Sequence, residues 1–241
     1  MSATTEQTSG SSSKELRRLH EAYKRRIGTI SPERYSRLNP GHLFGLQERE
    51  ATMAAMLRAD GLTSLAGLRI LDVGCGRGAT LRQYLEFNAT PSRMSGIDLF
   101  PPFVEEARSI SPGLQILCGS ASELPFPDRS FDFVSQFMLF TSVLDQAMRV
   151  QIAHEIDRVL APGGRFLWYD FAFNNPANPD VRGIRLGEVG ELFPAFSLAS
   201  RRITLAPPLG RAIGRLGPAI YHVVSQLRPL CTHYMCLLKK P

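Results

Sequence analysis

The 241-residue sequence predicts an α/β protein with a mostly parallel sheet and helices on both faces. Two observations carry that expectation. Short apolar runs alternate with helical patterns through most of the chain, the rhythm of successive βα units. The runs are apolar at nearly every position rather than at every second one, as strands covered on both faces read. With hydrophobic residues at 44%, the chain can also fill one sizeable core.

The elements follow in order. Residues 1–13, "MSATTEQTSGSSS", are polar and Ser/Thr-rich and predict a disordered tail, with no apolar run of the kind that forms a signal peptide. Residues 14–60 read as two helices, "KELRRLHEAYKRRIG" and "GHLFGLQEREATMAAMLRADG", joined by the turn-like "TISPERYSRLNP". The main domain is expected over 61–241. Its strands are "LRILDVG" (68–74), "RMSGIDL" (93–99), "LQILCG" (114–119), "FDFVSQFM" (131–138) and "GRFLWYDFA" (164–172). The longest helix lies in "TSVLDQAMRVQIAHEIDRVL", where Met148, Ile152, Ile156 and Val159 share one face and "APGG" ends it. His154 falls off that stripe and reads as solvated. Two more strands, "RRITLAPP" (201–208) and "THYMCLLKK" (232–240), flank the apolar stretch 209–230. Broken by Gly210, Gly214, Gly217 and Pro218, that stretch predicts a helical insertion that covers something.

Charge is placed unevenly. Lys14 to Arg37 holds eight basic and three acidic residues, and Arg201 to Pro241 holds seven basic and none acidic, so two basic flanks frame an acidic centre. Solubility and helix-end charge explain this as readily as attraction to an anionic acceptor, nucleic acid or a membrane surface. No apolar stretch has the length of a membrane span. Cys75, Cys118, Cys231 and Cys236 form neither a CxxC pair nor a zinc spacing, which points to a reducing, cytoplasmic setting with no metal.

The segment "RILDVGCGRGATL" (69–81) runs a strand into Gly74, Gly76 and Gly78 and then into a helix. Such a turn bares backbone at the end of the sheet, where open α/β folds bind ligands, although it could be only a tight corner. Asp98, ending the second strand in "GIDLF", makes the stronger reading: an acid there accepts hydrogen bonds from ribose hydroxyls. A dinucleotide site would space its glycines as GxGxxG. The spacing here, with Asp72 two residues ahead, suits a cationic ligand better than a diphosphate.

From about Leu68 to Asp170 the chain resembles the class I S-adenosylmethionine-dependent methyltransferases, in particular the small-molecule "type 11" group, through "LDVGCGRG", "GIDLF", "GSASELPFPDRSFDFV" and "RVLAPGGRFLWYD". The resemblance implies a Rossmann-like, seven-stranded sheet closed by an antiparallel pair, with S-adenosyl-L-methionine as cofactor and S-adenosyl-L-homocysteine as product. It implies Asp72 on the methionine ammonium, Gly74, Cys75 and Gly76 lining the cofactor, Asp98 on the ribose and Leu99 against the adenine. Ser120 stands where the family ordinarily has an acid, beside Ala121, whose backbone can still serve. Gln136 and Phe137, at the end of the fourth strand, are placed on the cofactor side.

Methyl transfer is an in-line displacement that depends chiefly on alignment and exclusion of water. Asp170 is the candidate general base, with a capping or loop-fixing carboxylate as its alternative, and His42, His222 and His233 are further candidates. Tyr169, Asn174 and Asn175 are candidates for the acceptor side; the amides of 174–179 would orient polyol hydroxyls or simply hold turns. The segment 31–44 is expected to form a lid carrying Tyr35 and Phe44. "WYDF…NNPxNPxVRGI" and "TLAPP…THY" are similar to methyltransferases of bacterial glycan and secondary-metabolite pathways. These readings predict a cytoplasmic enzyme that methylates an oxygen of a sugar, glycan precursor or secondary metabolite, free or carrier-linked. RNA methylation, a non-catalytic cofactor-binding protein and a nicotinamide oxidoreductase are the alternatives, and the 209–230 stretch admits peripheral membrane contact.

Overall fold

In the computed structural model the described residues are 3–29, 31–175 and 178–241. Strands β1 (Ile70–Val73), β2 (Met94–Asp98), β3 (Gln115–Cys118), β4 (Phe131–Phe137), β5 (Leu160–Phe171), β6 (Ser197–Leu205) and β7 (Cys231–Lys239) form one sheet, in the order β3-β2-β1-β4-β5-β7-β6. Only β7 runs against its neighbours, β5 and β6. Every residue of β1 is buried, which is why that strand shows no alternation in sequence. By contrast β6, at the sheet edge, begins four residues ahead of its expected start. Its first residues, Ser197 to Ser200, alternate between exposed and half-buried and include one large apolar side chain, Leu198, so no apolar run announces them.

The helices are α1 (Ala3–Thr29), α2 (Pro40–Ala59), α3 (Ala79–Tyr84), α4 (Pro101–Ile110), α5 (Gln146–Val159), α6 (Leu186–Leu192), α7 (Pro207–Gly214) and α8 (Pro218–Ser225). Met148, Ile152, Ile156 and Val159 of α5 are buried against Val134, Phe166 and Trp168, as their spacing predicts, and His154 is exposed. Met53, Met56 and Leu57 of α2 pack over Phe133, Leu167 and Met235. The insertion 209–230 is the α7–α8 hairpin. Residues 3–13, expected as a disordered tail, belong to α1 in the structure; Met1 and Ser2 lie outside the described residues.

Two long-range contacts decide where the N-terminal helices sit. Glu15 is buried, and its Oε1 accepts the backbone N–H of Leu144 at 2.5 Å and of Asp145 at 3.3 Å, while Arg18 Nη2 donates to the Ser142 carbonyl at 2.5 Å. These bonds clamp α1 to the loop between β4 and α5. At the start of α2, Gly41 meets α7 backbone to backbone. A Cβ on Gly214 would lie 2.5 Å from the Gly41 Cα, and one on Gly41 would lie 2.6 Å from the Arg211 Cα.

Neither glycine leaves room for a side chain, and no flexible atom can move aside. Gly214→Ala is therefore expected to lower stability by about 1–3 kcal/mol, the usual cost of overpacking. Urea denaturation checks this: a midpoint equal to that of the unsubstituted protein would show that α7 shifts freely.

Candidate functional site

Parallel strands β1, β2 and β4 all end at one edge of the sheet, and their register brings the sequence-predicted residues together there. Asp72 pairs across with Gly96 on one side and Ser135 on the other, and Val73 with Gln136. Beyond β1 the chain turns through Gly74, Gly76 and Gly78, at φ of +75°, +52° and +72°, conformations that L-residues rarely adopt. The N–H groups of Gly74 and Cys75 both bond the Ile97 carbonyl, at 2.8 and 3.0 Å. The Gly76 N–H donates to Asp98 Oδ2 at 2.8 Å, and the Phe100 N–H donates to Asp98 Oδ1 at 2.9 Å. Each carboxylate oxygen thus holds one backbone donor and keeps acceptor capacity for another.

The turn borders a narrow cleft lined by Gly74, Asp98, Leu99, Ser120, Ala121 and Phe137, all expected from sequence. Its opposite wall was not expected: Leu16, Leu19 and Tyr23 of α1 close over it, with Met138, Leu139 and Ser142 from the loop after β4. The spacing of Leu16, Leu19 and Tyr23 is a helical stripe, the signal by which this wall could have been found. Tyr23 also stacks on Phe100 at 6.1 Å. Ser120 Oγ lies 2.7 Å from Ser122 Oγ, a local bond that an acid in its place would not make in the same way.

Of the two readings of Asp170, its bonds are of the loop-fixing kind. It is buried outside the cleft lining, its Oδ1 bonded by the Thr141 hydroxyl and backbone N–H and its Oδ2 by Gln136 Nε2 at 3.0 Å. Gln136 in turn accepts the Leu139 N–H at 2.9 Å and so braces the loop after β4; like Asp72, Cys75 and Gly76 it lies behind the cleft lining. Together they fix a loop in which Met138 adopts φ +66°. These bonds, its burial and its place outside the cleft lining fit Asp170 to a positioning role.

Other candidates lie elsewhere. Tyr35 is exposed and meets His42 edge-on at 5.6 Å, and Phe44 packs on Tyr221 of α8, so neither closes the cleft; α1 does. Asn174 Oδ1 accepts the Gly183 N–H, fixing its own loop, and Asn175 is exposed there; Pro176 and Ala177 lie outside the described residues. His222 is exposed on α8. Tyr169 and His233 are buried, stacked at 4.8 Å and 2°, with the Tyr169 hydroxyl 2.9 Å from Thr204 Oγ1. Burial and the Arg49 charge push His233 down to about 3, so it stays neutral.

Electrostatically the site is an acidic pocket short of cations. Burial raises Asp72 to about 7 against the lowering effect of the Ser135 hydroxyl, which donates to Asp72 Oδ1 at 2.6 Å, and burial also raises Asp98. A buried carboxyl held this way gains from a bound cation, which favours its ionised form. The two acids flank the glycine turn, and the backbone there is bare. The donor set therefore fits a ligand with a positive group at one end and vicinal hydroxyls toward the other.

Residues 71–168 match the family described as a methyltransferase domain. The fatty-acid O-methyltransferase of Mycolicibacterium smegmatis is 38% identical over 107 residues, 43% of this chain and 37% of that protein. The 24-methylenesterol C-methyltransferase 2 of Oryza sativa subsp. japonica is 30% identical over 180 residues, 70% of this chain and 48% of that protein. The chain thus spans less than half the length of these two curated relatives. An S-adenosylmethionine-dependent methyltransferase from Mesorhizobium loti has the same fold, with a TM-score of 0.58 at 19% identity over 77% of this chain and 96% of that one.

The raised carboxyls give stability a definite pH dependence. Asp72 and Asp170 both sit at about 7, against 3.8 ordinarily, so between those values the folded chain holds protons that the unfolded chain has released. The contribution of these two carboxyls to stability is then expected to fall as pH rises from about 4 to about 7, partly offset by His233, whose lowered value acts in the opposite sense, and Asp72→Asn is expected to raise stability at pH 8 by on the order of 1–3 kcal/mol. Denaturation midpoints at pH 5 and pH 8 check both expectations; a variant no more stable than the parent at pH 8 would contradict the assignment.

Proposed function

We propose that this chain, whose residues 71–168 match a methyltransferase domain, is a class I S-adenosylmethionine-dependent methyltransferase that transfers a methyl group to an oxygen of a small or carrier-linked acceptor. The observation that carries this reading is the bond from the Gly76 N–H to Asp98, which holds a bare glycine turn and a ribose-type acid at one edge of the sheet. When bound, S-adenosylmethionine supplies a methyl carbon already activated by its positive sulfur. Asp72 takes the ammonium, Asp98 the ribose hydroxyls, and Leu99 and the Ala121 backbone flank the adenine. The α1 wall and Met138 and Leu139 exclude water from the reacting atoms.

Among the described residues lining the cleft, only Asp98 and Tyr23 are ionisable side chains. Transfer therefore rests on alignment rather than on a dedicated base. A sugar, glycan-precursor or secondary-metabolite oxygen remains the acceptor of this reading, in a cytoplasmic setting. The cleft walls favour one that presents an apolar body, in line with the fatty-acid and sterol acceptors in the relatives' names. The RNA reading is weakened because the N-terminal basic run is partly used within the fold: Arg18 pairs with Glu15, and Arg25 with Asp180 at 3.0 Å.

The α7–α8 hairpin favours contact with an anionic lipid surface. Ile220 and Val223 of α8, with Leu216 and Leu227 just beyond its two ends, are all exposed, Val223 to 68%. Arg211, Arg215 and Arg228 accompany them, and no acidic residue occurs from 201 to 241. No helix among the described residues is long and apolar enough to cross a membrane, so contact would be peripheral.

Calorimetry is expected to show binding of S-adenosylmethionine and S-adenosylhomocysteine but not of reduced nicotinamide cofactor. Asp98→Ala should weaken that binding by roughly 30-fold or more, as loss of charge-assisted bonds implies, and Asp170→Asn should largely retain it. Binding of the nicotinamide alone would reverse the reading. Sedimentation with phosphatidylglycerol vesicles at low salt should carry the protein down and Val223→Asp should release it; failure of the parent protein to sediment would remove the lipid contact.

A further inference from the structure

We infer that Arg49 of α2 binds the carboxylate of the cofactor's amino-acid end, opposite Asp72. The inference rests on the cofactor reading above and deepens it. Arg49 lies far from the glycine turn in sequence, on a helix that carries none of the motifs. In space its guanidinium sits over the ends of β4 and β5, 5.1 Å from the Phe137 ring centre and 5.5 Å from that of Tyr169. Phe137 lines the cleft and follows Gln136, the register partner of Val73, so Arg49 faces the strand end from which the glycine turn departs.

Arg49 is also a cation in want of a partner. Its Nε is buried without a hydrogen bond, and among the described residues no carboxylate pairs with it. The adjacent Glu48 turns instead to the Thr204 N–H at 3.2 Å. Buried or half-buried charge without a partner is costly, so a site that keeps one is arranged for an anion. The two aromatic rings hold the guanidinium in place meanwhile, Tyr169 being itself stacked on neutral His233.

The chemistry of the ligand supplies the anion. Ammonium and carboxylate stand on the same carbon, so a ligand whose ammonium meets Asp72 must bring its carboxylate within a few ångströms of that acid. The cleft lining contains no lysine or arginine. Arg49 is the cation whose field reaches Asp72, drawing that carboxyl down against its burial. Its planar fork matches a carboxylate with two parallel bonds.

Decarboxylated S-adenosylmethionine, which lacks only the carboxylate, isolates the contact. The unsubstituted protein should bind S-adenosylmethionine roughly 10- to 100-fold more tightly than the decarboxylated form, as a charge-assisted pair implies. Arg49→Met should abolish that preference by weakening S-adenosylmethionine alone, and Arg49→Lys should restore part of it; thermal melts confirm that both variants fold. Equal weakening of both ligands, or of neither, would overturn the assignment while leaving the cofactor site intact. If the unsubstituted protein binds neither ligand, the cofactor reading and this inference fail together.

Discussion

The structure turns on the junction between the glycine loop and the end of β2. Gly74 and Cys75 donate to the Ile97 carbonyl and Gly76 donates to Asp98, so three successive amides of one loop are fastened to two successive residues of the next strand. Left-handed backbone at Gly74 and Gly76 is what lets these N–H groups face β2. The same bonds aim Asp98 and bare the loop. A side chain at those glycines would strain the turn and fill the space that a ligand needs.

Around that junction the fold keeps charge in places that favour binding over stability. Asp72, Asp98 and Asp170 are all raised by burial, a cost carried by the folded chain itself. For Asp170 the return is structural: with Gln136 and Thr141 it holds the loop that brings Met138 and Leu139 to the cleft. For Asp72, set beside Ser135 at the turn, no such structural return is evident beyond that one hydroxyl. Its burial is explained by the cation that the site is proposed to receive.

Peripheral elements complete the cleft and the surface. Helix α1 is held across the cleft by Glu15 and Arg18, through polar bonds to the loop after β4, so the wall that shields the site is bonded to the loop that lines it. Helix α2 is tied at its start to α7 through the Gly41 and Gly214 backbones, and farther along it carries Arg49. The basic insertion and the cationic residue at the strand ends are thereby linked through a single helix.

Local pattern was enough for the sheet, for the stripe of α5 and for the residues that sit directly on strand ends: Asp72, Asp98 and the three glycines are placed by the strands in which they lie. Apolar composition also marked 209–230 as a helical insertion. What the sequence by itself determined was thus whatever depends on neighbours a few residues away, because period and backbone conformation are local properties. The tertiary structure alone decided that α1 rather than 31–44 walls the cleft, that the bonds of Asp170 run to Gln136 and Thr141 and that Arg49 stands over Phe137 and Tyr169. Those assignments depend on bonds between residues tens to more than a hundred positions apart, and no spacing rule within one chain specifies which buried acceptor or ring a distant side chain will meet.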